Sequence, residues 1–290
     1  MERSESLVSG AWLEAHLDAP DVAILDATSF LPTDPRDPYA CFRAARIPGA
    51  RFFDINDIAD PASPLSHTMP EPATFLGKVS RLGVGDGMKV VVYDANGGGN
   101  AAMRAWFMFR AFGHVDVAVL DGGLPKWLAD GRPVEDGPER PMAPRDWRHF
   151  TPREGGPKVV GLDDVRANLD TRTAVTVDAR SAERYAGTAP EPRPSAKTGH
   201  VPGTRNIPFP SLLNADKTMK SEAEIRAIFA AAGVPLDATP VIAMCGTGVT
   251  ACVVAFAAHL AGKSDVAIYD GSWEEWGNAP DVPVATGPNP

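Results

Sequence analysis

The sequence predicts an α/β fold in which two copies of one module follow each other, each a mainly parallel sheet flanked by helices. Two observations predict this fold. Sequence blocks recur at an offset of about 150 residues, and short apolar segments alternate with longer segments of helical periodicity. The length of 290 residues also suits two domains, each large enough to bury its own core.

The internal repeat consists of four blocks that occur twice in the same order. The first copy holds AILDA at 23–27, IPGARFF at 47–53, VVVYDANGGG at 90–99 and VAVLDGGLPKW at 117–127. The second copy holds VTVDA at 175–179, VPGTRNI at 201–207, VIAMCGTGVT at 241–250 and VAIYDGSWEEW at 266–276. Asp94 and Cys245 are equivalent positions, since 245 − 94 = 151, and Gly122 and Gly271 differ by 149. A constant order and a nearly constant offset indicate a duplicated module.

The elements of each module follow from its periodicity. In the first copy we expect helices near 72–82 and 100–113 between the strand blocks. In the second copy we expect strands at 175–178, 240–244 and 265–269, and helices at 221–233 and 250–262. Ser221 with Glu224 forms a capping box at the start of one helix, and Gly262 ends the other.

The module boundaries and the core follow from the same patterns. A Pro- and Arg-rich segment at 137–157 indicates a linker. We therefore expect an N-terminal domain at 1–138, a linker at 139–157 and a C-terminal domain at 158–290. The tryptophans of the repeated fourth block are expected to be packing residues beneath the rim of the site; they are Trp127, Trp273 and Trp276.

The composition excludes several classes of function. The formal net charge is −9 and no basic stripe is present, so we expect no nucleic-acid partner. The N-terminal sequence lacks a signal-peptide core and no segment reaches the length of a membrane span, so we expect a cytoplasmic protein without membrane association. Three cysteines argue against a disulfide framework. No metal-ligand spacing and no dinucleotide fingerprint occur, so we expect no metal and no cofactor.

The segment VIAMCGTGVT places Cys245 at the end of a buried strand and just before a helix. In parallel α/β sheets, chemistry collects at this edge. The following loop consists of Gly246, Thr247, Gly248, Val249 and Thr250. The two glycines allow positive φ, so the successive amides can surround one point as an anion-binding nest, to which the helix dipole adds positive charge. This arrangement favours a reactive thiolate over the alternative, an inert buried cysteine.

These features resemble the two-domain rhodanese family and, within it, the 3-mercaptopyruvate sulfurtransferases. The resemblance covers nearly the whole chain. It is carried by the tandem repeat, CGTGVT and five further segments, which are SFLPTDPRDP (29–38), SPLSHTMP (63–70), FRAFGH (109–114), TAPEPRPSAKTGHVPGTRNIPF (188–209) and IYDGSWEEWG (268–277). The resemblance implies two rhodanese-like domains with the active site at their interface and catalysis by the C-terminal copy. Asp94 agrees with a non-catalytic N-terminal copy, because a carboxylate cannot carry a sulfane sulfur.

The resemblance also implies the reaction and its residues. Cys245 takes a sulfur from a donor, holds it as a persulfide and passes it to a thiophilic acceptor. Arg184 and Arg193 match arginines that bind the carboxylate of the donor. Thr247 matches the loop position at which relatives have a hydroxyl residue, and His67 matches a histidine of the family. The resemblance implies that these two side chains relay protons.

The acidic member of this relay differs from the family pattern. Relatives carry Asp or Glu where this chain has Asn56. Asn56 can orient His67 but cannot stabilise an imidazolium. Asp54 and Asp57 are close in sequence, and either is an alternative partner.

The loop composition separates the competing functions. In thiosulfate sulfurtransferases the corresponding loop resembles CRKGVT, whose cationic side chains suit a doubly charged donor. Gly246 and Thr247 are neutral, so 3-mercaptopyruvate is the expected donor and thiosulfate is the alternative. A small thiol, thioredoxin or cyanide would suit as acceptor. A cysteine phosphatase needs Cys-x5-Arg, but position 251 is alanine. A non-catalytic scaffold or sulfur carrier is the remaining alternative.

Overall fold

The computed structural model describes residues 3–97 and 101–288. The chain divides into two compact units, and each takes in a short segment whose flanking residues belong to the other. The first unit contains the chain up to Pro61, Pro70–Gly156 and Ala215–Met219, and the second contains Ala62–Met69, Pro157–Asn214 and the chain from Lys220 onward. The domain boundaries expected from the sequence do not include this exchange of segments.

The two sheets have the same topology. Each has five strands, and every strand pair is parallel. The first sheet has the order β1-β5-β4-β2-β3 and is formed by β1 Leu7–Val8, β2 Val22–Asp26, β3 Arg51–Phe52, β4 Lys89–Tyr93 and β5 Val117–Leu120. The second has the order β6-β10-β9-β7-β8 and is formed by β6 Val159–Val160, β7 Val175–Asp178, β8 Arg205–Asn206, β9 Val241–Met244 and β10 Ala267–Tyr269. The duplicated module and the predicted fold class are confirmed.

The helices lie in the segments between the strands, and short 3₁₀ turns occur at Pro144–Asp146 and Phe209–Leu212. In the first unit they are α1 Arg3–Ser6, α2 Gly10–Glu14, α3 Pro38–Ala44, α4 Ile55–Ile58, α5 Pro72–Arg81, α6 Ala101–Ala111 and α7 Gly123–Ala129. In the second they are α8 Leu162–Thr171, α9 Ala182–Ala186, α10 Glu222–Ala231, α11 Ala251–Leu260 and α12 Ser272–Trp276.

The predicted helix ends are explained by local chemistry. Ser221 and Glu224 make the reciprocal capping-box hydrogen bonds that start α10. Gly262 follows α11 with a φ of 95°, a conformation that favours glycine. The helix expected near 100–113 is observed as α6; residue 100 and the last two glycines of the third repeat block lie outside the described residues.

The two central strands and the helices that follow them form the core. In β4 the three valines at 90–92 are fully buried, and in α11 all ten residues are buried. A helix that is apolar on all sides requires neighbours on all sides. Trp127, Trp273 and Trp276 are at most 1% exposed, so the expectation that they are packing residues is confirmed, and their place beneath the rim of the site stays a prediction.

One buried aspartate occurs in both copies but has different hydrogen-bond partners in each. In the second unit Asp178 forms a fork-like ion pair with Arg180, two residues on. In the first unit the equivalent Asp26 has Thr28 instead, which donates its amide and its hydroxyl to Asp26 Oδ1. The pKa of Asp26 is raised to about 6, mainly by burial and to a smaller extent by the nearby Asp94, while hydrogen bonds from Thr28 and Tyr93 act in the opposite direction.

Asp26 should therefore make stability depend on pH. Its carboxyl is protonated more readily in the folded state, so its favourable contribution is complete below the ordinary pKa of 3.8 and is lost as pH rises through about 6. Between pH 4 and pH 7.5, we expect the free energy of unfolding of Asp26→Asn to rise by up to about 3 kcal/mol relative to that of the wild type. Urea unfolding at a series of pH values measures the difference. The exposed Asp18→Asn is the control, and parallel pH profiles for Asp26→Asn and wild type would contradict the prediction.

Candidate active site

Cys245 follows β9 directly and begins the loop that leads into α11. Its main chain is braced from the start of α12. The Cys245 amide donates to Ser272 Oγ at 3.1 Å, and its carbonyl accepts from the Trp273 amide at 3.0 Å. The Glu274 amide donates to the Gly246 carbonyl at 2.9 Å. Sequence reasoning treats this block as packing and misses its bracing role, although its recurrence after the last strand of each copy is a signal.

The loop after Cys245 presents a run of unused donors. Among the residues that the structure describes, no amide of 246–250 donates to a protein acceptor. These amides lie immediately before the N-terminus of α11, where the helix dipole places positive partial charge. The loop therefore has the donors that an anion attached to Cys245 would need. Cys245 itself is 2% exposed.

The two glycines of this loop have different roles. Gly248 has a φ of 76°, as the sequence predicts. The expectation of positive φ at Gly246 is wrong, because Gly246 is not among the residues with positive φ. A Cβ at position 246 would lie 3.0 Å from Nη2 of Arg184, so a glycine here leaves room for the arginine.

His67 and Thr247 are brought together. Nδ1 of His67 lies 3.0 Å from Oγ1 of Thr247, within hydrogen-bond distance. His67 belongs to the segment 62–69, which is part of the second unit. It is buried and has a φ of 60°, a conformation that costs energy for a residue other than glycine and is held by its surroundings.

Arg184 is held beside the loop by a carboxylate that the sequence analysis did not select. Its Nε donates to Oε2 of Glu191 at 3.1 Å, and its Nη2 donates to the same oxygen. The other oxygen, Oε1, accepts from Nη1 of Arg180 at 2.8 Å. Glu191 is thus shared by two arginines. Its place in PEPRP, near Arg193, is the signal that could have identified it.

Arg193 lies next to the His67 segment. Its Nε donates to Ser66 Oγ at 3.2 Å and lies 3.8 Å from Oε1 of Glu274. No other polar contact of its guanidinium is found in the described chain. Two edges of the planar fork are therefore open to a ligand such as a carboxylate.

Asn56 and Asp54 belong to the first unit. Asp54 caps α4, and its Oδ1 accepts from the Asn56 amide at 2.9 Å and from Asn56 Nδ2 at 3.1 Å. Asp57 pairs with Lys78 at 2.6 Å. These contacts give Asp54 a structural role, and the membership of Asn56 or Asp54 in a proton relay stays a prediction.

The other two thiols have ordinary surroundings. Cys252 is buried in α11 and donates to the Gly248 carbonyl at 3.2 Å, and Cys41 is partly exposed in α3. Within residues 3–97 and 101–288, no three metal-ligating side chains are close enough to hold an ion. In the same ranges, no helix has the length and apolarity that crossing a membrane requires.

The chain is similar to known proteins over nearly its whole length. The sequence model of the family described as Rhodanese-like domain matches residues 9–130 and 161–279. Thiosulfate/3-mercaptopyruvate sulfurtransferase 1, mitochondrial, from Arabidopsis thaliana is 41% identical over 97% of this chain and 78% of its own length. The human 3-mercaptopyruvate sulfurtransferase is 44% identical over 93% of this chain and 91% of its own length.

A solved structure extends the comparison. The crystal structure of SseA from Escherichia coli, presented with the rhodanese fold and catalytic mechanism of 3-mercaptopyruvate sulfotransferases, has a TM-score of 0.81 and 36% identity. The match covers 93% of this chain and 99% of that chain. Both copies of the module are included in a likeness of this extent.

Proposed function

The chain belongs to the rhodanese family, and on that premise we propose that it moves a sulfane sulfur from 3-mercaptopyruvate to a thiophilic acceptor through a persulfide on Cys245, releasing pyruvate. The observation that carries the proposal is the loop after Cys245, whose five amides have no protein acceptor in the described chain. A persulfide ends in an anionic sulfur, and a ring of N–H donors stabilises it without a side-chain charge.

The first half of the reaction forms the persulfide. The Cys245 thiolate attacks the donor sulfur, so that an S–S bond forms and the donor C–S bond breaks. The electron pair of that C–S bond passes to the organic fragment as the enolate of pyruvate, which then takes a proton. Thr247 follows Cys245 by two residues and lies within hydrogen-bond distance of His67, which supports these two side chains as the source of that proton.

The second half returns the enzyme to its starting state. An acceptor thiolate or cyanide attacks the outer sulfur of the persulfide, and Cys245 leaves as a thiolate. The products are an acceptor persulfide or thiocyanate. Small thiols, thioredoxin and cyanide all have the nucleophilicity that this step requires.

The charges around the loop favour a singly charged donor. Gly246 and Thr247 add no cation, and Arg184 and Arg193 each lie beside a carboxylate, Glu191 and Glu274 respectively. Thiosulfate carries two negative charges and would gain less here than at a loop with cationic side chains. Steady-state kcat/KM for each donor, with cyanide as the common acceptor, tests the assignment. A larger value for thiosulfate would make thiosulfate the donor, an activity that the name of the Arabidopsis relative includes.

The two arginines should act on donor capture. We expect Arg184→Ala and Arg193→Ala each to lower kcat/KM for 3-mercaptopyruvate about tenfold or more, because each removes a cationic fork that fits a carboxylate. Lysine variants retain the charge without the fork and should recover only part of the loss. The exposed Arg166→Ala is the control. Unchanged kcat/KM in both alanine variants would show that these arginines do not bind the donor.

A scaffold function makes a different prediction for the thiol. Intact-mass spectrometry after treatment with 3-mercaptopyruvate should show the addition of one sulfur atom on Cys245 if the protein is an enzyme. A protein that stays unmodified with either donor would favour the scaffold.

We also propose a cytoplasmic location. One relative is named mitochondrial, so cell fractionation is the test.

A further inference from the structure

The carboxylate of Glu274 holds the residue next to His67. Its Oε2 accepts from the Ser66 amide at 2.8 Å, and its Oε1 accepts from the Ser66 hydroxyl at 2.9 Å. Both carboxylate oxygens are therefore used on one residue, which fixes the main chain and the side chain of Ser66 together. Glu274 is largely buried, with 18% of its side chain exposed, so these bonds are partly shielded from water.

The same carboxylate contacts one of the two proposed donor-binding arginines. Ser66 Oγ accepts from Nε of Arg193 while it donates to Glu274, and that Nε lies 3.8 Å from Glu274 Oε1. This contact orients the Nε edge of Arg193 toward Glu274 and Ser66. The terminal nitrogens of Arg193 are left for a ligand.

The main chain of Glu274 contacts the loop that follows Cys245. Its amide donates to the Gly246 carbonyl, one residue after Cys245. A single residue of α12 thus touches the loop of Cys245, the segment of His67 and the side chain of Arg193. Asp270, four residues earlier, binds the Met69 amide at 2.5 Å and secures the other side of His67.

His67 needs such restraint. Its φ of 60° is unfavourable for a side chain with a Cβ, so the segment would relax if its neighbours were released. Relaxation would break the 3.0 Å contact between His67 and Thr247. Ser66 and Met69, one residue before and two residues after His67, are each held through their amides by a carboxylate.

We propose that Glu274 is a positioning residue for sulfur transfer, whose carboxylate holds Ser66 and thereby places His67 against Thr247 and orients Arg193. The inference rests on the proposed function, because it assigns Glu274 a role in that reaction. Glu274 itself need not touch the donor.

The first arm of the test measures the restraint itself. Hydrogen–deuterium exchange of the full-length protein should show faster exchange across residues 66–69 in Glu274→Ala, by about tenfold or more, since a partly buried amide loses its acceptor. Glu274→Gln is nearly isosteric and should show a smaller effect, because the amide side chain retains one acceptor oxygen. Glu183→Gln is the matched control, since Glu183 is exposed and no side-chain bond of it is found among the described residues. Unchanged exchange at 66–69 in Glu274→Ala overturns the proposal.

The second arm measures the reaction. We expect Glu274→Ala to lower kcat/KM for 3-mercaptopyruvate about tenfold or more, with kcat falling as well as KM rising. The same substitution in a His67→Asn background, where asparagine tolerates positive φ, should cost much less, because the group that Glu274 positions is already gone. Faster exchange with unchanged kcat/KM, or equal costs in both backgrounds, overturns the proposal.

The two proposals fail differently. A wild-type protein that forms no persulfide with 3-mercaptopyruvate or thiosulfate contradicts the proposed function and, with it, a role for Glu274 in sulfur transfer. An active wild-type protein whose Glu274→Ala variant matches it in both arms contradicts only the role of Glu274.

Discussion

Cys245→Ser should abolish sulfur transfer, with kcat reduced by about 10⁴-fold or more. A serine hydroxyl stays protonated near neutral pH and cannot store a sulfane sulfur. The substitution is nearly isosteric at a buried site, so the amides of the following loop should keep their positions. Steady-state turnover with 3-mercaptopyruvate and cyanide measures the loss, and intact-mass spectrometry shows whether a sulfur atom is still added.

Cys41→Ser is the matched control for this experiment. Cys41 is a partly exposed thiol in α3 of the first unit, and its replacement should change neither turnover nor the added mass. Residual activity of Cys245→Ser above one hundredth of the wild-type rate, or sulfur that still accumulates on it, would remove Cys245 from the mechanism.

Arg180→Leu should lower the free energy of unfolding of the second unit by about 3–5 kcal/mol, the usual cost of leaving a buried charge without its partner. Arg180 is 1% exposed and donates to both oxygens of Asp178, to Glu191 and to the Gly199 carbonyl. It also stacks over Trp273, 4.2 Å from the ring centre. Burial lowers the pKa of Arg180, but Asp178 and Glu191 more than compensate and hold that pKa above its ordinary value.

The loss should appear as an earlier urea transition of the second unit, followed by the fluorescence of its tryptophans. Arg166→Leu, which removes an exposed arginine of α8, should shift that transition by no more than about 0.5 kcal/mol. A shift of similar size in both variants would show that the Asp178–Arg180–Glu191 cluster does not stabilise the unit. Glu191 also holds Arg184, so we expect donor capture to weaken in Arg180→Leu even where the protein is folded.

Local chemistry explains why the element positions are predictable from the sequence. The helix at 221–233 is predicted from Ser221 and Glu224, and α10 begins at Glu222 with both capping bonds present. The strands at 240–244 and 265–269 are predicted from apolar runs, and β9 and β10 lie within them. His67 and Thr247, selected through the family resemblance, lie in contact.

The parts that could not be predicted depend on contacts between distant segments. The bond from the Cys245 amide to Ser272 joins residues 27 apart, and the bond from Ser66 to Glu274 joins residues 208 apart. Neither contact has a periodic signature in the sequence. The prediction for Gly246 is wrong for a related reason: a glycine that gives room to a distant side chain cannot be distinguished in sequence from one that needs positive φ.

The exchanged segments make the two halves of this chain mutually dependent. A break within 139–157 would leave the Cys245 half without Ser66 and His67, and the other half without Ala215–Met219. The first copy has Asp94 at the position equivalent to Cys245, and deleting this copy would remove a segment that the second unit incorporates. Cutting the chain at the boundary between the two sequence repeats would therefore not yield either compact unit whole.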